Sequence, residues 1–538
     1  MSTDDESFHP LGNEWEGELE TMLDDTEYDT DLGMQMAKDA MRVTKGELSE
    51  AEFHEMYHDD VMEEFGEDNR PTEEAFEAAR EESKGTMSRM LSKFEGDDED
   101  SRRDAMKKMG AGAAAVGLGA WGTVDDGQAE PTIADDEVTT STREGDVQWG
   151  MAIDLERCDG CLSCVNACSQ ENDLDQGVNW MYILDYEEPR GGAETSRNRL
   201  VRPCQHCTDA PCEKVCPTTA RHTRENDGLV LTDYDVCIGC RYCQVACPYG
   251  VNYFQWDEPD TTIDQVREHA EGMGAENEHM YDERDRWTDS RAPRGVMSKC
   301  TMCPTRQDGF KGEEYVGTTA CEEACPPGAI QFGDMNDDDS DPQVYVDNPS
   351  RSRALVEMNR RAPSASTIEE ELEEVDADDD LESVLEAVDD LDADFLRVLI
   401  AIDIVTEEMG EGDGEYAENE QYVLDILDAL EAHGLDLESE DVLVPLGLAS
   451  MPIGDDEFEG ASESDAQSAL EQYAGAPESN FRLLEDIGTN PNIVYLGNEP
   501  GPNAQQVEGP VAYEDMGLTD NRKEVLDEDT IGDAGVSL

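Results

Sequence analysis

The chain has 538 residues, enough for about two to four domains. It carries 132 Asp and Glu against 38 Lys and Arg, a formal net charge of −94, and this excess of negative charge excludes binding to the phosphates of nucleic acids. Such a chain repels itself at ordinary ionic strength, whereas molar salt shortens the screening length to about 3 Å. The composition therefore predicts a halophilic protein with an acidic, solvated surface in a high-salt environment.

Residues 1–100 are predicted to form an acidic, helical N-terminal domain. Apolar side chains recur at helical spacing from Leu48 to Phe65. Ser49 and Glu52 stand three residues apart at the start of this segment, which is the pattern of a capping box. Pro71, followed by acidic residues, predicts the start of a further helix.

Residues 101–128 have the pattern of a twin-arginine signal segment that also links two domains. Arg102 and Arg103 precede a Gly/Ala-rich apolar run of about 16 residues, shorter than the roughly 20 that a bilayer-spanning helix needs. The pattern predicts export of the folded protein and a peripheral location at the outer face of the cytoplasmic membrane. The alternative is a buried Gly/Ala helix in a cytoplasmic protein.

All sixteen cysteines lie within a predicted domain at residues 147–349. Sets of four thiolates bind zinc or iron–sulfur clusters. Zinc ribbons use CxxC pairs separated by a longer loop, and disulfide scaffolds are usually small. The tight spacing here instead predicts four [4Fe–4S] clusters. The four motifs are Cys158-x2-Cys161-x2-Cys164-x3-Cys168, Cys204-x2-Cys207-x4-Cys212-x3-Cys216, Cys237-x2-Cys240-x2-Cys243-x3-Cys247 and Cys300-x2-Cys303-x17-Cys321-x3-Cys325.

The last cysteine of each motif is predicted to bind a different cluster from the three cysteines that precede it. The motifs must then exchange their last cysteines in pairs, and the second and third motifs are the nearest in sequence. The predicted ligand sets are Cys204, Cys207, Cys212 and Cys247; Cys237, Cys240, Cys243 and Cys216; Cys158, Cys161, Cys164 and Cys325; and Cys300, Cys303, Cys321 and Cys168. The alternative pairs the first motif with the second, and the third with the fourth.

Residues 350–478 are predicted to be an acidic, partly helical insertion. Apolar residues at helical spacing predict one helix from Val384 to Val405, and Leu424 to Leu430 continue the helical pattern. The whole chain therefore predicts an α+β fold. It would contain two intertwined bacterial-ferredoxin-like units, each with two [4Fe–4S] clusters, together with the N-terminal helical extension and this insertion.

The segments MAIDLERCDGCLSCVNAC and DYDVCIGCRYCQVACPYGVNYF resemble the four-cluster electron-transfer subunits of molybdopterin oxidoreductases, the family of the DMSO, polysulfide and tetrathionate reductases. The resemblance covers roughly residues 147–335 and resumes at 481–500, so that residues 479–538 would be the closing segment of the ferredoxin-like domain and a tail. The first 100 residues and the insertion are extra to the family pattern.

The resemblance implies a non-catalytic electron-transfer subunit of a respiratory complex. Its partners would be a molybdopterin-containing catalytic subunit and a polytopic membrane subunit that interacts with quinone. The residues agree with this role, because every cysteine is assigned to a cluster and no substrate-activating constellation is visible. The alternative is a free-standing cytoplasmic polyferredoxin.

Overall fold

Helices and small sheets combine in this chain, in agreement with the predicted α+β class. The predicted signal segment at 101–128 and the helix expected after Pro71 lie outside the residues that the structure describes. The computed structural model describes residues 13–24, 26–71, 147–175, 177–190, 194–272, 280–375, 381–409, 414–451, 458, 460–501 and 504–510.

Three helices form the described part of the N-terminal domain: α1 (Asn13–Asp24), α2 (Thr30–Thr44) and α3 (Glu50–Phe65). The predicted capping box is confirmed, because the Glu52 backbone N–H donates to the Ser49 hydroxyl and the Ser49 N–H donates to the Glu52 carboxylate. Phe53 is buried. Met56, although it falls within the apolar repeat of α3, is 50% exposed.

The central region contains all sixteen cysteines and is built from short elements. Its strands are β1 (Trp149–Asp154), β2 (Tyr182–Arg190), β3 (Glu194–Arg202), β4 (Arg221–Thr223), β5 (Val230–Thr232), β6 (Tyr253–Phe254), β7 (Met297–Ser298) and β8 (Ile330–Asp334). Its helices are α4 (Ser163–Glu171), α5 (Pro211–Lys214), α6 (Tyr242–Val245), α7 (Ile263–Gly272), α8 (Pro304–Gln307), α9 (Ala320–Glu323) and the 3-10 helix Glu313–Tyr315.

A helical region follows the central region. It consists of α10 (Asp341–Asp347), α11 (Pro349–Arg361), α12 (Ala365–Glu371), the 3-10 helix Leu372–Glu374, α13 (Leu381–Ala387), α14 (Ala393–Met409), α15 (Gly414–His433), α16 (Glu440–Leu446) and α17 (Glu463–Ala474). Helix α10 packs into this region, so the helical layer begins before residue 350, where the insertion was predicted to start.

The prediction of one helix from Val384 to Val405 is wrong, because the chain turns between α13 and α14. Asp390 adopts a positive φ of 64°, a conformation that Asp tolerates better than most residues. The Asp392 carboxylate then accepts from the Phe395 N–H and starts α14. Apolar spacing persists across the turn because both helices bury side chains in the same core.

The chain end returns to the central region through β9 (Asn480–Phe481), the 3-10 helix Glu485–Ile487, β10 (Ile493–Leu496) and β11 (Gln505–Pro510). Strand β10 pairs in parallel with β1, and the sheet order is β8-β1-β10-β9. A second sheet has the order β11-β2-β3, and β4-β5 and β6-β7 form two small two-stranded sheets. None of the helices in the described ranges has the length and apolar character of a membrane span.

Candidate iron–sulfur cluster sites

The sixteen cysteines are free thiols that gather into four groups. Cysteines of one group lie close enough for their charges to repel. Burial raises the pKa of Cys164, Cys168, Cys207 and Cys240, and the other cysteines of the same group raise it further. Group A is Cys158, Cys161, Cys164 and Cys325; group B is Cys168, Cys300, Cys303 and Cys321; group C is Cys204, Cys207, Cys212 and Cys247; and group D is Cys216, Cys237, Cys240 and Cys243.

Each motif therefore sends its last cysteine to a different group from its first three. A single helical turn separates the two destinations. Helix α4 carries Cys164 and Cys168, α5 begins the step from Cys212 to Cys216, α6 leads from Cys243 towards Cys247, and α9 leads from Cys321 towards Cys325. One turn of helix thus ties group A to group B and group C to group D, and the four groups are those that pairing the second motif with the third produces.

Two of the groups surround a small cavity. Cys216, Cys237, Cys240 and Cys243 line one of these cavities together with Arg221. The group B thiols line the other, beside Trp180 and Met302. In the described part of the chain, no three His, Cys, Asp or Glu side chains converge as ligands of a single metal ion. Four soft thiol donors around a buried cavity fit the ligand set of a [4Fe–4S] cube.

The loops that hold groups A and D share a backbone conformation. Gly160 and Leu162 flank Cys161 with φ of 74° and 60°, and Gly239 and Arg241 flank Cys240 with φ of 72° and 65°. Such left-handed positions turn successive N–H groups toward the inside of a loop, where they favour negative charge. Glycine is required at 239, because a Cβ there would lie 2.2 Å from the Gly295 carbonyl oxygen.

The groups follow one another in the order A, B, C, D. Burial and its own group raise the pKa of Cys168 in group B, and Cys164 of group A adds to the rise. Burial, and next the charge of Cys204 in group C, raise the pKa of Cys300 in group B to about 11. Burial raises the pKa of Cys212 in group C, and Cys243 of group D contributes.

The two ends of this row reach the surface and its middle does not. Cys158, Cys161 and Cys325 of group A and Cys237 of group D are partly exposed, whereas every cysteine of groups B and C is buried. The arrangement offers a point of access at each end and excludes water between them.

Family models and curated relatives match this cysteine region and the N-terminal helices. Residues 9–73 match the model of the N-terminal region of 4Fe–4S ferredoxin iron–sulfur binding, and residues 198–267 and 236–330 each match a model of a 4Fe–4S dicluster domain. A Halobacterium salinarum protein assigned as a dimethyl sulfoxide reductase iron–sulfur subunit is 39% identical over 211 residues, covering 37% of this chain and 70% of the relative. The chain belongs to the iron–sulfur subunits of the molybdopterin oxidoreductase family.

Two further relatives of this iron–sulfur subunit have other names. The iron–sulfur cluster-binding subunit of menaquinone reductase from Nitratidesulfovibrio vulgaris is 34% identical, over 37% of this chain and 79% of the relative. A selenate reductase subunit from Mesobacillus selenatarsenatis is 35% identical, over 48% of this chain and 94% of the relative. The matched dicluster models and the sixteen cysteines are consistent with four [4Fe–4S] clusters as the cofactors of the protein.

The charges around the row of groups in this iron–sulfur subunit are uneven. Burial raises the pKa of Cys303 in group B to about 12, with Glu171 and Asp289 adding to the rise and Arg306 opposing it. Groups C and D instead share Arg221, whose side chain is 1% exposed. Nothing in the motif spacing predicts this arginine, and only a buried position next to Cys216 in the fold reveals it.

His206 links groups B and C through hydrogen bonds. Its Nδ1 accepts from the Val230 N–H at 3.1 Å, and its Nε2 donates to the Cys300 carbonyl at 3.0 Å. Burial, and next the charge of Lys299, hold the pKa of His206 well below its usual range. The imidazole is therefore neutral and braces the loop that carries Cys300.

The N-terminal helices cover group D, a contact that sequence reasoning missed. The Tyr242 hydroxyl donates to the Asp29 carbonyl at 2.6 Å, and the Tyr28 hydroxyl donates to the Ile238 carbonyl at 3.4 Å. Gly33 of α2 lies against the Tyr242 ring. Helix α2 is thus a wall of the cluster region, although the sequence indicates only an amphipathic helix.

Proposed function

We propose that each of the four groups holds one [4Fe–4S] cluster and that the chain relays electrons without catalysing a reaction of its own. The observation that supports this most strongly is the row of four thiol groups with a partly exposed group at each end. When bound, each cluster accepts and releases one electron. The fourth thiolate of every cluster comes from another motif, the first exchanging with the fourth and the second with the third, so the fold is two intertwined two-cluster units.

The protein sets the distances between the clusters of this relay and excludes water from them. One helical turn between a motif's third and fourth cysteines holds the clusters of groups A and B, and those of groups C and D, close together. Aromatic and aliphatic side chains around the middle groups, among them Trp180 and Met302, exclude water and thereby tune the reduction potentials. An exposed end is where a partner protein gains access to the row.

We propose that the partners are a molybdopterin-containing catalytic subunit at one end and a membrane subunit that interacts with quinone at the other. The names of the relatives support both, since they include subunits of dimethyl sulfoxide, selenate and menaquinone reductases. The proposal extends to anaerobic-type respiration at the outer face of the membrane in high salt, after export directed by residues 101–128. The acidic composition supports the salt requirement.

Anaerobic purification of the native protein from membranes in molar salt tests the proposal. We expect the chain to co-purify with a large molybdenum-containing subunit and to elute with it in size-exclusion chromatography. If the chain is recovered alone and without molybdenum, in the soluble fraction and not in the membranes, the result would instead support a free-standing cytoplasmic polyferredoxin. Two further experiments test the export step separately. Sequencing of the mature N-terminus shows whether the signal segment is removed, and protease accessibility shows on which side of the membrane the protein lies.

A further inference from the structure

Arg221 occupies a buried position between groups C and D. It begins β4, and its backbone N–H donates to Cys216 Sγ at 3.3 Å. Its side-chain Nη2 contacts Cys243 Sγ at 3.7 Å and donates to Asn252 Oδ1 at 2.7 Å. Asn252 is itself held by donation to the Cys243 carbonyl at 3.1 Å. The guanidinium is therefore fixed in place at the wall of the group D cavity.

The other two nitrogens of this guanidinium, Nε and Nη1, have no hydrogen-bond partner among the described residues. Both atoms are buried. A buried charged donor that stays unsatisfied is more costly than a neutral one. The side chain lines a cavity walled by thiols, so the sulfur atoms of a bound cluster are the acceptors that the two N–H groups require.

The sulfur atoms are also the groups that can balance the positive charge of Arg221. Two other buried arginines pair with carboxylates: Arg224 with Asp227 and Asp308, and Arg306 with Glu171. Among the described ion pairs none includes Arg221. The thiolates that act most strongly on the charge of the Arg221 guanidinium are those of Cys243, Cys212 and Cys204. These thiolates belong to both group C and group D.

We propose that Arg221 is a cation shared by the clusters of groups C and D, and that it raises the reduction potentials of both. A reduced cluster carries one more negative charge, so a fixed cation and N–H donors to its sulfur atoms stabilise the reduced state. Group B has charges of both signs beside it, since Arg306 and Lys299 oppose Glu171 and Asp289 there. Arg221 thus favours reduction of the clusters in the C–D half of the row. The inference rests on the cluster assignment under Proposed function.

Redox titration of the anaerobic, full-length protein, followed by EPR, tests this role. In Arg221→Gln we expect two of the four midpoint potentials to fall, each by a roughly tenfold change in the equilibrium constant, which is about 59 mV for one electron. The other two potentials stay unchanged. Four unchanged potentials, or four that shift together, would overturn the proposal.

A matched control removes the same charge elsewhere. Arg397 lies on α14, where its Nη2 donates to Gln472 at 3.0 Å, away from the core that contains the cysteines. Arg397→Gln is expected to leave all four potentials unchanged. Arg221→Lys keeps the charge but loses the forked donor, and a smaller downward shift than in Arg221→Gln is expected; a shift as large would contradict the charge argument.

A second variant covers the case in which Arg221→Gln does not load with iron. Asn252→Asp leaves Arg221 in place and sets a carboxylate against Nη2, so the same two potentials are expected to fall; unchanged potentials overturn the inference. The failure of the wider function is distinguishable, because it appears in wild type as missing iron. Normal wild-type iron with potentials insensitive to both variants contradicts only the role of Arg221.

Discussion

Two helical regions flank the cysteine region, and they attach to it in different ways. Side chains of α1–α3, including Leu19, Met36 and Phe53, belong to the same apolar core as the cysteines. The helical region α10–α17 closes a core of its own, which includes only Ala152 and Leu496 from the central sheet. An apolar contact with the cysteines makes the first region part of the cluster environment, whereas the second is a neighbouring unit.

The junction of the second unit is polar. The Asp154 carboxylate accepts two hydrogen bonds from Arg353, at 2.6 and 2.9 Å, and one from the Tyr345 hydroxyl at 2.7 Å. Arg353 also donates to Glu156 at 3.0 Å. A substitution in α1–α3 is therefore expected to disturb the cysteine core directly. The helical region α10–α17 is instead attached to the central sheet through a buried ion-pair network.

The largest effect is expected at that network. Asp154→Ala removes the buried carboxylate that accepts from Arg353 and Tyr345 and leaves the guanidinium with the partly exposed Glu156, so the free energy of unfolding should fall by about 3–5 kcal/mol. Hydrogen exchange read across α10–α17 measures where the loss falls. As a control, Glu357→Ala removes a partly exposed partner of Arg157 and should cost at most about 1 kcal/mol. Equal losses in the two variants would contradict this account of the junction.

The next prediction separates the two cores. Phe53→Ala and Leu399→Ala each empty a fully buried position and should lower the free energy of unfolding by about 2–5 kcal/mol in denaturant titrations. Only Phe53→Ala is expected to speed the bleaching of the iron–sulfur absorbance in air, because its core contains the cysteines. Equally fast bleaching in Leu399→Ala would remove the distinction between the regions.

A smaller effect depends on pH. His222 Nδ1 donates to the Ala220 carbonyl and Nε2 accepts from Arg284. Burial lowers the pKa of His222 from 6.5 to about 4; the bond to Ala220 opposes this and Arg284 adds to it. The folded state favours neutral imidazole, so this stability is complete above about pH 6.5 and is lost as the pH falls toward 4.

Urea titrations at pH 7 and pH 5 measure this effect. Wild type should lose on the order of 2 kcal/mol more than His222→Gln between the two values, since the variant has no group that must gain a proton. An identical pH dependence in both proteins would show that His222 is not held neutral by the fold.

The smallest effect concerns the wall of group D. A Cβ at Gly33 would lie 2.6 Å from the Tyr242 ring and 2.7 Å from the Leu23 side chain, so Gly33→Ala should cost about 1–3 kcal/mol and loosen α2. Gly17→Ala on α1 is the matched control, because nothing lies within 4 Å of a Cβ there. Denaturant titrations should find the control unchanged or slightly more stable.

Sequence reasoning succeeded where the determinants are local. The start of α3 follows from Ser49 and Glu52 alone. The four thiol groups coincide with the predicted ligand sets, in which the second motif exchanges its last cysteine with the third and the first with the fourth. The ligation of clusters by these groups remains a proposal.

Long-range packing could not be read from the sequence. The break between α13 and α14 was missed because apolar spacing runs through Asp390, which looks like any other acidic surface residue. Arg221 and Gly33 matter only because of what the fold sets against them, sulfur atoms in one case and the Tyr242 ring in the other.

Iron and acid-labile sulfide analysis of the anaerobically purified chain tests the central claim most directly. Four occupied groups predict about sixteen irons and about sixteen sulfides per chain, with a Mössbauer spectrum of [4Fe–4S] clusters alone. A colourless protein with zinc and no sulfide, or one with cystine bridges among the sixteen cysteines, would contradict it.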